Sequence, residues 1–233
     1  GKIVSDRLLS SVNISAEKLK IIYYPVSCPD LPLQPQKDFR TEFQISAKAK
    51  VLAVVGRIRP VKGQRILLQS VSQLLSEFPD LVLLMPYRDT PENEPEMQAV
   101  RSDISRLELE AHVRLIPERE DIRALMEFAD AGVVSSVDSE VICRVAVEFF
   151  SVGTPVVAFP TGCLPEIIRH AENGLLTKDQ SQQALTDELR KILTDQELCK
   201  KLGQGARRDA EIRFNPQKML AETLEVFERS YNH

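Results

Sequence analysis

The chain has 233 residues, 43% of them hydrophobic and 27% charged, with a formal net charge of −4. That is enough apolar material for one large domain or two small ones, and the balance offers no basic field of the kind that binds nucleic acid. The longest apolar stretches, such as Val51–Val55 and Leu81–Met85, are far too short to cross a bilayer.

In chain order, the opening residues Gly1-Lys2-Ile3-Val4-Ser5-Asp6 lack an apolar h-region, so no signal peptide is expected. Residues 1–49 hold a short helical segment, the apolar run Lys20–Val26, and a Pro-rich connector from Pro25 to Pro35. That connector has no packing pattern and reads as a loop or linker. From Lys50 onward, short apolar runs alternate with longer amphipathic segments. Strands are predicted at Val51–Val55, Leu81–Met85, Val113–Ile116, Ala131–Ser135 and Pro155–Phe159, each rich in Val, Leu or Ile and bounded by turn formers. Helices are predicted between them at Gln64–Phe78, Pro95–Leu109, Asp121–Ala129 and Val141–Val152. The last quarter reads as three helices, Gln180–Thr194, Gln196–Ile212 and Pro216–Tyr231, the last with Pro at its first position.

Near-continuously apolar strands alternating with helices predict an α/β fold, a Rossmann-like parallel sheet with helices on both faces and a helical C-terminal segment. The expected organisation is a connector at 1–49, a ligand-binding core at 50–179, and C-terminal helices at 180–233. In such sheets ligands bind beyond the carboxyl ends of the strands, so the loops after Val55, Met85, Ile116, Ser136 and Phe159 matter most.

Four widely spaced cysteines (Cys28, Cys143, Cys163, Cys199) form no CxxC, and with three histidines they give no metal-ligand spacing. They are expected to be free thiols in a reducing cytoplasm, with no zinc site, disulfide or cysteine nucleophile.

The first predicted strand runs into Gly56-Arg57-Ile58-Arg59-Pro60-Val61-Lys62-Gly63, which is neither GxGxxG nor GxxxxGK[ST]. Two glycines still bracket a cationic loop at a helix N-terminus, a position suited to an anion. A diphosphate there would meet Arg57 as a planar fork and Lys62 as a point charge; solvated loop cations are the plain alternative.

The predicted helix Val141–Val152 is apolar almost all round except for Arg144 and Glu148, so it is expected to be buried. A buried carboxylate needs a partner. Two accounts of Glu148 stand at this level: an Arg144–Glu148 ion pair at i,i+4, or acceptance of hydrogen bonds from a vicinal diol such as a ribose. Glu140, two turns earlier, would face another part of the same ligand about 12 Å away. The backbone N–H groups of Val141, Ile142 and Cys143 could then hold its phosphates. Asp138-x-Glu140 is also read as a candidate carboxylate pair for a divalent cation.

Taken together these segments resemble the C-terminal domain of the family 4 retaining glycosyltransferases, which have the GT-B fold. The carrying motifs are Gly56-Arg57…Lys62-Gly63, Glu140…Glu148, Ser151-Val152-Gly153-Thr154-Pro155-Val156-Val157-Ala158, Gly162-Cys163-Leu164-Pro165-Glu166-Ile167 and Asn173-Gly174-Leu175-Leu176, in the family's order. The segment from Val4-Ser5 to Lys20–Val26 resembles the stretch after the interdomain hinge.

The resemblance implies that Gly56, Arg57 and Lys62 bind the donor diphosphate, and that Arg57 and Lys62 stabilise it as it leaves. It implies that Glu148 holds the nucleotide ribose and Glu140 contacts the transferred sugar, with backbone at Val141–Cys143 touching the phosphates. The implied donor is a nucleoside-diphosphate sugar, with no cofactor and no essential metal. The implied partner is an N-terminal acceptor domain absent from these residues, so the stretch alone is expected not to turn over. A cytoplasmic location, with peripheral membrane association of the full-length enzyme at the inner face, is a further expectation. The family's Gly-Phe-Gly after the first Glu is replaced here by Val141-Ile142-Cys143, and Cys163 replaces the second Gly of the later motif. These variants are most similar to cell-envelope and lipopolysaccharide glycosyltransferases. A nucleotide-sugar epimerase of the same fold, with His170 near the sugar, and a non-catalytic nucleotide-binding or interaction module are the alternatives.

Overall fold

In the computed structural model, which describes residues 2–11, 15–33, 38–88, 90, 94–138 and 140–231, six strands form one wholly parallel sheet. These are β1 (Val51–Ala53), β2 (Val82–Tyr87), β3 (Val113–Pro117), β4 (Ala131–Val134), β5 (Val156–Ala158) and β6 (Gly174–Leu176), in the order β3-β2-β1-β4-β5-β6. Alternate residues feed two cores. Val51, Ala53, Leu84 and Val134 belong to one, while Leu52, Leu83, Met85 and Val133 belong to the other. Both faces of the sheet are therefore covered, which is why the strands are apolar throughout rather than alternating.

The five predicted strands are present, each shifted by a residue or two. β6 was not anticipated, because three residues inside Asn173-Gly174-Leu175-Leu176 give no periodicity to read. It forms because Gly174 lets β5 approach: a Cβ there would lie 2.4 Å from the Val156 carbonyl oxygen.

The second core is covered by α3 (Gln64–Leu74), α4 (Glu94–Arg106) and α8 (Gln182–Thr194), through residues such as Leu67, Val71, Met97 and Leu189. α3 ends at Leu74, four residues short of the predicted Phe78, because Leu75–Glu77 turn off the helix. The first core is covered by the short α2 (Phe39–Glu42), α5 (Ile122–Phe128), α6 (Arg144–Ser151) and the four-residue α7 (Leu164–Ile167). α9 (Gln196–Ile212) closes the edge beside β6. Its Asp209 is buried and accepts hydrogen bonds from Arg169, Asn173 and Arg213, which fixes Asn173 at the entrance to β6. α10 (Pro216–Tyr231) starts where Asn215 Oδ1 caps the Gln217 N–H at 2.8 Å. It leaves Leu220, Leu224 and Phe227 exposed.

The N-terminal region begins with α1 (Lys2–Ser11), and residues 19–33 then run without helix or strand. This stretch corrects one expectation: the connector is anchored by packing despite its irregular backbone. Val26 is buried and its N–H donates to the Phe214 carbonyl at 2.8 Å. The Tyr23 and Phe214 rings meet edge to face at 5.7 Å, and the Leu33 N–H donates to Glu127 Oε2 at 2.7 Å. Alternating patterns cannot announce such packing, because each anchor is made once.

The order β3-β2-β1-β4-β5-β6 reverses direction between β1 and β4. The carboxyl ends of the strands beside such a reversal are the usual ligand position in an open parallel sheet.

Two α9 glycines allow the close packing that holds this edge. A Cβ on Gly203 would lie 2.4 Å from the Gly153 carbonyl oxygen, and one on Gly205 would lie 1.9 Å from that of Glu172. Gly→Ala in a helix interior ordinarily stabilises by roughly 0.8–1.0 kcal/mol, whereas forcing extra volume into a tight contact costs about 1–3 kcal/mol. Gly205→Ala is accordingly predicted to lower stability by about 1 kcal/mol or more, measured by chemical denaturation; a stabilised variant would contradict this packing.

Candidate functional site at the switch point

The loop after β1 is shaped by its two glycines. Gly56 has φ of 151° and open space where a Cβ would stand, and Gly63 has φ of 63°. At Gly63 a Cβ would lie 2.0 Å from the Ser135 carbonyl oxygen, so only glycine lets this loop touch the loop after β4. The contact is secured by Ser135 Oγ donating to the Lys62 carbonyl at 2.9 Å and by the Val137 N–H donating to the Val61 carbonyl at 2.9 Å.

This junction brings Lys62 to Glu140. The Lys62 ammonium donates to Glu140 Oε1, and Ser136 Oγ donates to the same oxygen at 2.5 Å. Glu140 is 5% exposed, so its charge depends on these two donors. The loop after β5 completes the clamp. The Cys163 N–H donates to the Glu140 carbonyl at 2.7 Å, and Thr161 Oγ1 donates to that of Ser136 at 2.6 Å. A Cβ on Gly162 would lie 2.1 Å from the Glu140 carbonyl oxygen. Three loops are thus tied around one ion pair. Among the described residues no group of three or more His, Cys, Asp or Glu is placed to hold a metal ion.

The stretch after Glu140 departs from expectation. α6 begins at Arg144 rather than Val141, with Val141 and Ile142 in a bend. The physical reason is that the Glu140 backbone is committed to the β5 loop, and the chain must turn before helical bonding begins. Glu140 and Glu148 therefore do not share one helix, and a spacing argument along a helix axis does not apply to them. Val141 and Ile142 are 47% and 60% exposed, whereas Cys143 is buried.

Glu148 is not a buried carboxylate either; its side chain is 30% exposed. Ala146, Val147, Phe149 and Phe150 take the buried face of α6, while Arg144 and Glu148 face outward with Nη2 and Oε1 3.7 Å apart. The Arg144 guanidinium also lies 4.5 Å from the centre of the Tyr24 ring. Glu148 lines a cavity of about 250 Å³ together with Val55, Gly56, Arg57, Tyr87 and Arg119, beyond the carboxyl ends of β1, β2 and β3.

The expected site residues thus divide into groups. Gly56, Arg57 and Glu148 share one cavity, and Lys62 and Glu140 form an ion pair between the loops after β1 and β4. Val141, Ile142 and Cys143 line a separate, mainly apolar cavity of about 480 Å³ with Tyr24, Cys163 and Phe214. Burial pushes the Cys143 and Cys163 thiols up from their ordinary range, and the Glu140 carboxylate adds to both shifts. All four cysteines are free. Ser136, Tyr87 and Arg119 were not singled out from the sequence, because a lone loop Ser, Tyr or Arg carries no signal until the loops are folded together. Another concavity, about 600 Å³, is bordered by Asp130 and Pro155, which precede β4 and β5. It lies at the amino ends of the strands, away from the switch point.

Comparison with known proteins agrees with this architecture. Residues 35–209 match the family model of glycosyl transferases group 1. A D-inositol 3-phosphate glycosyltransferase of Corynebacterium efficiens is 33% identical over 172 residues, covering 72% of this chain and 40% of that protein. A glycosyltransferase structure from Rickettsia africae superposes with a TM-score of 0.90 at 22% identity, covering 98% of this chain and 61% of that one. Anabaena Alr3699/HepE, solved in complex with UDP and glucose, superposes with a TM-score of 0.73 at 28% identity, over 80% of this chain and 50% of that one. The chain spans about half the length of the curated relatives it matches. With its motifs assembled on a six-stranded parallel sheet, the chain belongs to the glycosyl transferases group 1 family and has the α/β fold of one half of a GT-B glycosyltransferase.

Proposed function

We propose that this chain is the donor-binding domain of a retaining glycosyltransferase that uses a nucleoside-diphosphate sugar. The observation that carries the proposal is the meeting of Gly56, Arg57 and Glu148 in one cavity at the carboxyl ends of the strands, with Lys62 of the same loop paired to Glu140. The HepE structure, which holds UDP and glucose, supports a nucleotide-sugar ligand. In this reading Glu148 accepts the ribose hydroxyls, and Arg57 and Lys62 meet the diphosphate. As the bond from the anomeric carbon to the phosphate oxygen breaks, negative charge gathers on the leaving group, and these cations stabilise it. Glu140 contacts the transferred sugar, whereas the Val141–Cys143 backbone, expected at the phosphates, lines the separate apolar cavity and takes no part in this reading. No cofactor or resident metal takes part. In the unliganded chain Glu140 keeps Lys62 compensated; the arriving diphosphate then shares that cation.

The acceptor is assigned to cell-envelope polysaccharide or lipopolysaccharide synthesis on the resemblance of the Val141-Ile142-Cys143 motif variant. We further propose that the full-length enzyme is cytoplasmic and associates peripherally with the inner face of the membrane. Among the described residues no helix is long and apolar enough to cross a membrane. The 233-residue stretch is proposed to bind donor without turnover. The epimerase alternative is weakened by His170, which bridges to Gly174 at the amino end of β6 and whose Nδ1 accepts the Leu176 N–H. The interaction-module alternative keeps one observation, the Arg144–Glu148 pair at 3.7 Å.

Calorimetric titration with UDP, GDP and ADP separates these readings. At least one should bind, and Glu148→Ala should weaken it roughly tenfold to a hundredfold, as expected for lost hydrogen bonds to a charged group. Because Glu148 is partly exposed, its melting temperature should hold. No binding by any of the three, with the fold intact, favours the interaction module. For the ion pair, Lys62→Met should destabilise by about 2 kcal/mol by orphaning a buried carboxylate, and Lys62→Met with Glu140→Gln should recover much of that loss. Equal stability of the single variant and the wild type would show that Glu140 does not depend on Lys62.

A further inference from the structure

We propose that Gln64 is a positioning residue for the diphosphate loop, holding the Arg57 backbone in place through its side-chain amide; the inference rests on the donor-site reading above. Gln64 opens α3 and is 2% exposed, on a helix whose other buried positions are Leu67, Leu68, Ser70, Val71 and Leu74. Its Nε2 donates to the Arg57 carbonyl at 2.9 Å. Its Oε1 is buried and has no hydrogen-bond partner among the described residues.

An amide with an orphaned oxygen is a costly occupant for such a position. A methionine of similar length would bury without leaving a polar atom unpaired. What the amide supplies, and an apolar side chain does not, is the bond to Arg57.

That bond falls where the loop is otherwise least constrained. Upstream, Gly56 has a glycine conformation with open space where a Cβ would stand, and its N–H reaches the Pro86 carbonyl at a long 3.3 Å. Downstream, Ile58 is buried, and the Lys62 and Gly63 N–H groups close onto the Arg59 and Pro60 carbonyls at 2.9 and 3.1 Å. Arg57 itself is exposed at the cavity it shares with Glu148. Fixing its carbonyl fixes the Arg57–Ile58 peptide plane, between the weakly held glycine and the anchored isoleucine, and with it the direction from which the guanidinium leaves the backbone.

Two variants test this. Gln64→Met removes both polar atoms at constant length, and Gln64→Glu keeps the shape but removes the donor. The first measurement is amide hydrogen exchange over residues 57–63 in the unliganded chain. Both variants are expected to exchange about tenfold faster there, consistent with one lost hydrogen bond, while Gln64→Met keeps or raises the melting temperature. Should Gln64→Met fail to fold, Gln64→Glu decides.

The second measurement is calorimetry with UDP and UMP. UDP affinity is expected to fall roughly fivefold to tenfold, and UMP affinity less than about twofold, because the loop meets the diphosphate. Unchanged exchange over 57–63 in a folded variant overturns the role of Gln64 whatever UDP does, as does equal weakening of UDP and UMP. A wild-type chain that binds no UDP instead counts against UDP as the donor nucleotide, and exchange alone then judges Gln64.

Discussion

The Lys62–Glu140 contact is the constraint on which the rest of the site depends. A carboxylate as enclosed as Glu140 is tolerated only with donors in place; Ser136 comes from its own loop, and Lys62 from a loop 78 positions away in the sequence. To deliver Lys62, the loop after β1 must touch the loop after β4, which requires a glycine at 63. To hold Glu140 still, the loop after β5 must close on its carbonyl, which requires a glycine at 162. The ion pair, the two glycines and the Ser135, Ser136 and Thr161 hydroxyls form one connected arrangement at the sheet's point of reversal.

That arrangement divides the work of the site. Gly56, Arg57 and Glu148 line one cavity with Tyr87 and Arg119. Val141 and Ile142 stand exposed on a separate, mainly apolar cavity, at the positions where the family resemblance leads one to expect glycines. The second motif glycine is likewise replaced by Cys163, a buried residue of the same cavity. Both departures therefore fall on the apolar cavity, and neither falls on the cavity of Gly56, Arg57 and Glu148.

Much of this was legible in the residue pattern. Continuous Val and Leu runs announced buried parallel strands, and the motifs singled out Arg57, Lys62, Glu140 and Glu148, of which the fold puts two in one cavity and two in one ion pair. What the pattern missed has physical causes. β6 is three residues long and is made by the closeness of Gly174 to β5, which periodicity does not register. Val141 and Ile142 look like the first apolar turn of a helix, but the Glu140 carbonyl is already taken by the Cys163 N–H, so α6 starts at Arg144. Glu148 looks buried among Val145, Ala146, Phe149 and Phe150, yet it occupies the helix face that those residues leave open to the cavity. Gln64 passed as the start of an amphipathic helix, and its bond to Arg57 exists only once the loop is folded.

The most direct test of the account maps UDP onto the backbone by nuclear magnetic resonance, using the 233-residue chain in increasing nucleotide. Shift changes should concentrate at residues 56–63 and 136–148, with Tyr87 and Arg119 alongside. Changes concentrated instead around Asp130, Gly153 and Arg207, at the amino ends of the strands, would contradict a donor site at the switch point.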